Sequence, residues 1–137
     1  MQAVEQLVQT MSSRFDRDTC RQIVQKVMER EHEFGTAVGD GVAIPHLRLE
    51  CLTAPVLAFG RSVEGIDWNS PDGGHVHYVF LLASPTSTAD LHLQILSAIG
   101  RALSREDNRR RISEARSAAD LYGLLTEMLS AKKPGKL

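Results

Sequence analysis

Histidine is the side chain in this sequence best suited to chemistry, because no serine or cysteine stands in an obvious catalytic context. There are five, at His32, His46, His75, His77 and His92. A neutral imidazole has one ring nitrogen that can attack phosphorus, and a hydrogen bond at the other nitrogen fixes the tautomer. Two histidines close together can also bind a metal ion. The positions of the five histidines in the sequence indicate whether phosphoryl transfer or metal binding is favoured.

His46 follows the run G-D-G-V-A-I-P, residues 39–45. Pro45 has a fixed φ and restricts Ile44 to extended geometry, while the two glycines let backbone N–H groups approach an anion closely. Such a loop could hold an imidazole rigidly beside a phosphate. On these residues alone, a structural histidine at a strand end is still the better interpretation, because short motifs often match by chance.

His75 and His77 are two residues apart and therefore lie on one face of a predicted strand, a spacing that metal sites use. The sequence offers no obvious third ligand, so we predict no metal site and no cofactor. A metal-binding domain built on these two histidines remains one hypothesis for function.

The composition indicates one compact domain and favours neither nucleic-acid binding nor direct insertion into a membrane. The 137 residues are 42% hydrophobic, and the formal net charge of −1 gives no overall field for a polyanion. No apolar run approaches the roughly 20 residues that cross a bilayer. Cys20 and Cys51 lie 31 positions apart, outside any Cys-x-x-Cys motif, which favours a reducing compartment. We expect a cytoplasmic protein.

The hydrophobic pattern predicts an α/β fold with a single mixed sheet flanked by helices on both faces. The domain is predicted over residues 1–130, followed by a loose polar tail at 131–137. Asp16 or Asp18 is the expected cap of the second helix, which Gly35 ends. Helices are expected at 2–13, at about 16–35, after Pro85, at 106–115 and at 118–130, and the clearest strands at 54–60 and 75–83.

Three separated blocks resemble one known family. REHEFGTAVGDGVAIPH, residues 30–46, is similar to the active-site signature of the IIA components of the phosphoenolpyruvate-dependent sugar phosphotransferase system, fructose/mannitol type, including their nitrogen-regulatory relatives. DGGHVHYVFLLASP, residues 72–85, resembles the central strand of that family. LHLQILSAIGRAL, residues 91–103, resembles the helix that brings a second histidine to the site.

This resemblance implies the mannitol-type IIA fold and a phosphotransferase that needs no metal or nucleotide. His46 is the implied phosphorylated residue, His92 the second histidine and Arg30 the active-site arginine. The implied donor is the histidine-containing phosphocarrier protein, and the implied acceptor is a cysteine on a IIB domain in sugar uptake. The alternative is a regulatory binding module, phosphorylated on His46, that controls a fused or associated transporter or regulator.

The site residues also have structural interpretations. Arg30 could be a solvated residue at a helix end, pairing with Glu29 or Glu33, and His92 could be a surface helix residue. Family members usually carry a small residue after the histidine and a short strand before the first helix. Here Leu47 and Arg48 follow His46, which makes Arg48 a candidate phosphate contact, and the sequence begins almost at the first helix, so the native context stays open.

Overall fold

The computed structural model describes residues 2–33 and 35–130, which fall into two compact units divided between Ala89 and Asp90. The predicted tail at 131–137 lies outside the described residues. The helices are α1 (Gln2–Gln9), α2 (Arg17–Glu33), α3 (Ala89–Leu103), α4 (Glu106–Glu114) and α5 (Ala118–Ser130), with a 3₁₀ turn at Thr86–Thr88. The strands are β1 (Ala37–Gly39), β2 (Val42–Ala43), β3 (His46–Leu49), β4 (Val56–Ile66) and β5 (Val76–Pro85).

The first helices form where the sequence places an apolar stripe and a cap. Val4, Leu7 and Val8 of α1 are buried, as the i, i+3, i+4 spacing predicts. Asp16 begins α2 by accepting a hydrogen bond from the backbone N–H of Thr19 at 2.7 Å. This bond is the main reason why the pKa of Asp16 lies below its ordinary value. Of the two predicted caps, the structure therefore uses Asp16.

A mixed five-stranded sheet is built around β5. β4 pairs with it antiparallel, while β2 and β3 pair with it in parallel at successive registers, Val42↔Tyr78 and then His46↔Leu82. β1 pairs antiparallel with β2. β2 and β3 thus lie in line along β5, and only Ile44 and Pro45 separate them.

Both faces of β5 are buried, which the nearly continuous apolar sequence predicts. Val79 and Leu81 belong to a core cluster that includes Ile23 of α2, whereas Phe80 and Leu82 alternate with them and are equally buried. β4 continues to Ile66, six residues beyond the predicted end at 60. The extra length was missed because its polar residues resemble a turn, and its pairing with β5 is irregular between positions 61 and 66.

In the second unit, side chains of α4 donate hydrogen bonds to the last backbone carbonyls of α3. Asn108 donates to the carbonyl oxygen of Ala102 at 2.8 Å, and Arg109 donates to that of Leu103 at 2.6 Å. The last carbonyls of a helix have no partner within that helix, and the carbonyl oxygen of Ala102 also accepts from the backbone N–H of Arg105 at 3.4 Å. Arg111 pairs with Glu127 of α5 at 3.2 Å. In the part of the chain that the structure describes, no helix is long and apolar enough to cross a membrane.

Candidate functional site

His46 is the half-buried first residue of β3, and its ring has a defined orientation. Its Nδ1 lies 2.6 Å from the carbonyl oxygen of Ile44. Because a carbonyl oxygen only accepts hydrogen bonds, the ring hydrogen is on Nδ1. Nε2 then carries the lone pair, and this is the nitrogen that can act as a nucleophile.

Hydrogen bonds to two other segments of the chain fix the residues just before His46. The backbone N–H of Ile44 donates to the carbonyl oxygen of Thr36 at 3.0 Å, and the carbonyl oxygen of Pro45 accepts from Leu82 N–H at 3.0 Å. Pro45 has no N–H to contribute to the sheet, so it stands at the break between β2 and β3. The imidazole therefore projects from a rigid element, as the Ile-Pro pair predicts.

The turn between β1 and β2 is held by a carboxylate of the protein itself. Residues 39–41 all have positive φ, and the N–H of Asp40 donates to the carboxylate of Asp72 at 3.2 Å. Asp72 also accepts from Gly74 N–H at 3.0 Å and from the Ser70 hydroxyl at 2.8 Å. Bonds from Gly74, then Ser70, then Asp40 lower the pKa of Asp72. The Asp40–Asp72 bond is a contact between distant segments that the sequence analysis missed, and an approach of the loop to a phosphate remains a prediction.

Arg30 lies in the last turn of α2 and is exposed. Helix α2 packs against β3, the strand that begins at His46, so Arg30 and His46 are carried by adjoining elements of the first unit. Glu29, one of the carboxylates considered as its partner, accepts a hydrogen bond from Gln25 at 3.3 Å. The role of Arg30 as an active-site cation remains a prediction.

His92 is the fourth residue of α3 and only 5% exposed. The interpretation as a surface helix residue is therefore wrong, because the protein shields nearly all of the side chain from solvent. His92 belongs to the second unit and His46 to the first. That the two histidines share one site remains a prediction.

The residues that follow His46 alternate between core and solvent. Leu47 is buried, whereas Arg48 is exposed. Successive side chains of a strand point to opposite faces, so Arg48 lies on the same face of β3 as His46. This placement keeps Arg48 as a candidate contact for an anion at His46.

His75 and His77 meet at Gly65 of β4. A Cβ added at Gly65 would stand 2.8 Å from His75 Cβ and 3.0 Å from His77 Cε1, so the glycine makes room for both side chains. His77 Nδ1 lies 2.8 Å from the carbonyl oxygen of Ser62. Within residues 2–33 and 35–130, no three His, Cys, Asp or Glu side chains are grouped as a metal would require. These contacts give both histidines a packing role.

With the fold and the site in place, the chain can be compared with known proteins. Residues 1–128 match the family model for the phosphoenolpyruvate-dependent sugar phosphotransferase system, EIIA 2, and the chain belongs to this family. Phosphoryl transfer is the activity of this class of components. The family prediction made from three sequence blocks is confirmed.

Particular relatives divide between sugar transport and regulation. The fructose-specific EIIA component of Haloferax volcanii is 38% identical over 114 residues, which cover 83% of this chain and 72% of that protein. The nitrogen regulatory protein IIA-Ntr of Neisseria meningitidis superimposes with a TM-score of 0.79 at 26% identity, covering 90% and 84% of the two chains. The mannitol IIA enzyme of Escherichia coli, in its complex with phosphorylated mannitol IIB, gives a TM-score of 0.73 at 18% identity over 92% and 86%. The last likeness confirms the predicted α/β fold class.

Proposed function

We propose that this protein is a histidine phosphocarrier that accepts a phosphoryl group on Nε2 of His46 and passes it to a partner protein in the cytoplasm. The observation that carries the proposal is the 2.6 Å hydrogen bond from His46 Nδ1 to Ile44, which directs the Nε2 lone pair away from the backbone contact. Membership of the EIIA 2 family supplies the reaction class. His92 and Arg30 are proposed to hold the phosphoryl oxygens.

In the proposed step, the N–P bond of a phosphohistidine on the donor breaks while a bond forms between phosphorus and His46 Nε2. The proton stays on Nδ1, where the Ile44 carbonyl stabilises the positive charge that the ring gains. Arg30 would offer a planar fork of donors to the equatorial oxygens. The group then leaves for the acceptor, and no oxidation or reduction takes place.

The donor is proposed to be the histidine-containing phosphocarrier protein, and the acceptor a cysteine on a IIB domain in sugar uptake. The likeness to a fructose-specific EIIA component supports the sugar role, and the complex of the mannitol IIA enzyme with phosphorylated IIB supports this kind of acceptor.

Phosphorylation in vitro tests the central claim. The protein is incubated with phosphoenolpyruvate, enzyme I and the phosphocarrier, and its intact mass is measured. We expect wild type to gain one phosphoryl group, His46→Ala to gain none, and the exposed-histidine control His32→Ala to behave as wild type. Undiminished gain in His46→Ala would overturn the proposal.

A second candidate is a regulatory module whose phosphorylation state controls a fused or associated transporter or regulator. The similarity to the nitrogen regulatory protein of Neisseria meningitidis favours it. Phosphorylated protein is mixed with IIB domains from the same genome to distinguish the two roles. Transfer to a IIB cysteine supports sugar uptake, whereas a stable phosphoprotein that transfers to none supports regulation.

A further inference from the structure

Glu31 joins the end of α2 to the strand pair that leads to His46. Its carboxylate accepts a hydrogen bond from the Thr36 hydroxyl, and the Thr36 backbone N–H lies 3.2 and 3.3 Å from the two carboxylate oxygens. Thr36 is only 7% exposed, so water cannot readily replace these bonds. Glu31 is also the neighbour of Arg30 in the last helical turn.

The same contacts continue to the imidazole. The carbonyl oxygen of Thr36 accepts from Ile44 N–H at 3.0 Å, and the carbonyl oxygen of Ile44 accepts from His46 Nδ1 at 2.6 Å. Ile44 is 8% exposed. An unbroken series of hydrogen bonds therefore leads from the Glu31 carboxylate to the ring, and every backbone segment in the series belongs to the first unit.

We infer that Glu31 is a positioning residue for His46. Its carboxylate fixes Thr36, Thr36 fixes Ile44, and the Ile44 carbonyl selects the tautomer in which Nε2 is the nucleophile. By anchoring the last turn of α2, it also fixes the base of the Arg30 side chain relative to the strands. Glu31 itself does not need to touch the phosphoryl group. The inference rests on the proposed function for its effect on rate, but not for its effect on the tautomer.

Three variants of α2 test this inference. Glu31→Ala removes the carboxylate, Glu31→Gln keeps an oxygen that accepts from Thr36, and Glu29→Ala is the matched control because Glu29 bonds Gln25 on the same helix. The ring nitrogens of His46 are observed by ¹⁵N NMR in unphosphorylated protein, and the rate of phosphoryl gain is measured separately. A purely structural role would lower the unfolding temperature without moving the ring signals.

In Glu31→Ala we expect a second His46 tautomer to appear and phosphorylation to slow by about 10-fold or more, since small displacements of reacting groups cost large factors in rate. The phosphorylation rate of Glu31→Gln should stay within about three-fold of wild type. The amide oxygen of Gln still accepts a hydrogen bond from Thr36, so the substitution removes only the charge. Folded Glu31→Ala that matches Glu29→Ala in both measurements would overturn the inference.

Two variants of Thr36 test the inference if Glu31→Ala fails to fold. Thr36→Val loses the hydroxyl but keeps the backbone N–H, and Thr36→Ser restores the hydroxyl. We expect Thr36→Val to change the tautomer balance and Thr36→Ser to preserve it, and equal spectra for the two would count against the inference. If wild type accepts no phosphoryl group, the proposed function fails, whereas the tautomer comparison still decides the role of Glu31.

Discussion

His46 Nδ1 and the carbonyl oxygen of Ile44 lie 2.6 Å apart, although only Pro45 separates the two residues in the chain. Pro45 makes this close approach possible because its fixed φ and the extended conformation that it imposes on Ile44 set the direction of the carbonyl. Backbone geometry thus chooses which ring nitrogen is chemically available.

This contact predicts that phosphate attaches to Nε2 and that Nδ1 keeps its hydrogen. Protein labelled with ¹⁵N-histidine is phosphorylated, and the nitrogen coupled to phosphorus is identified by NMR. Phosphorus coupled to Nδ1 would contradict the assigned tautomer. His46→Ala, which lacks the acceptor ring, should show no such coupling.

Arg30 is predicted to stabilise the charge on the transferred group. Arg30→Ala should slow phosphoryl transfer about 100-fold, the size of effect seen when one donor to a developing charge is removed. Arg30→Lys should recover only part of the loss, because an ammonium group lacks the planar fork. Arg21→Ala is the matched control, since Arg21 is exposed on the same helix, 3.9 Å from Asp18. Equal rates for Arg30→Ala and Arg21→Ala would remove Arg30 from the site.

His92 is predicted to assist transfer in both directions. His92→Ala should slow transfer to and from His46 by about 10- to 100-fold, the contribution of one well-placed donor. Circular dichroism should show the fold intact. Because His92 is buried, the variant His92→Gln keeps a polar side chain of similar length and separates lost packing from lost chemistry. Unchanged rates in both variants would leave His92 a structural residue.

Arg48 shares the solvent face of β3 with His46 and is predicted to attract the phosphorylated partner. Arg48→Ala should slow phosphorylation about three-fold at low ionic strength, and the difference should shrink as salt is added because exposed charges are screened. Arg14→Ala removes an exposed arginine from the segment after α1 and serves as the control. A difference that is independent of salt would argue for a direct contact instead of attraction at a distance.

The local geometry of the candidate site was predictable where short segments decide it. The proline before His46 fixes the backbone whatever surrounds it, and Asp16 caps α2 through a residue three positions away, so both follow from short segments. The apolar sequence of β5 likewise shows that the strand is buried on both faces. Family membership followed from three blocks in order, which chance seldom produces.

The contacts between distant segments could not be predicted. Asp72 lies 32 positions from Asp40, and nothing in either segment alone indicates the pair. The final residues of β4 carry polar side chains that look like a turn, yet pairing with β5 keeps them extended. The burial of His92 depends on packing that a helical pattern does not specify.

Asp72 makes the turn before His46 sensitive to acid. Hydrogen bonds from Gly74, Ser70 and Asp40 lower the pKa of Asp72 in the folded protein. The ionised carboxylate therefore stabilises the folded state above the ordinary aspartate pKa of about 4. This stabilisation is lost as the pH falls through the lower pKa of the folded protein.

Asp72→Asn should therefore unfold at a lower urea concentration than wild type at pH 7. The difference should narrow as the pH falls from about 4, where the carboxylate becomes protonated in the unfolded chain, through the lower pKa of the folded protein. Glu64→Gln, which removes an exposed carboxylate from β4, is the control. A gap between Asp72→Asn and wild type that stays constant across this range would show that the charge of Asp72 does not stabilise the turn.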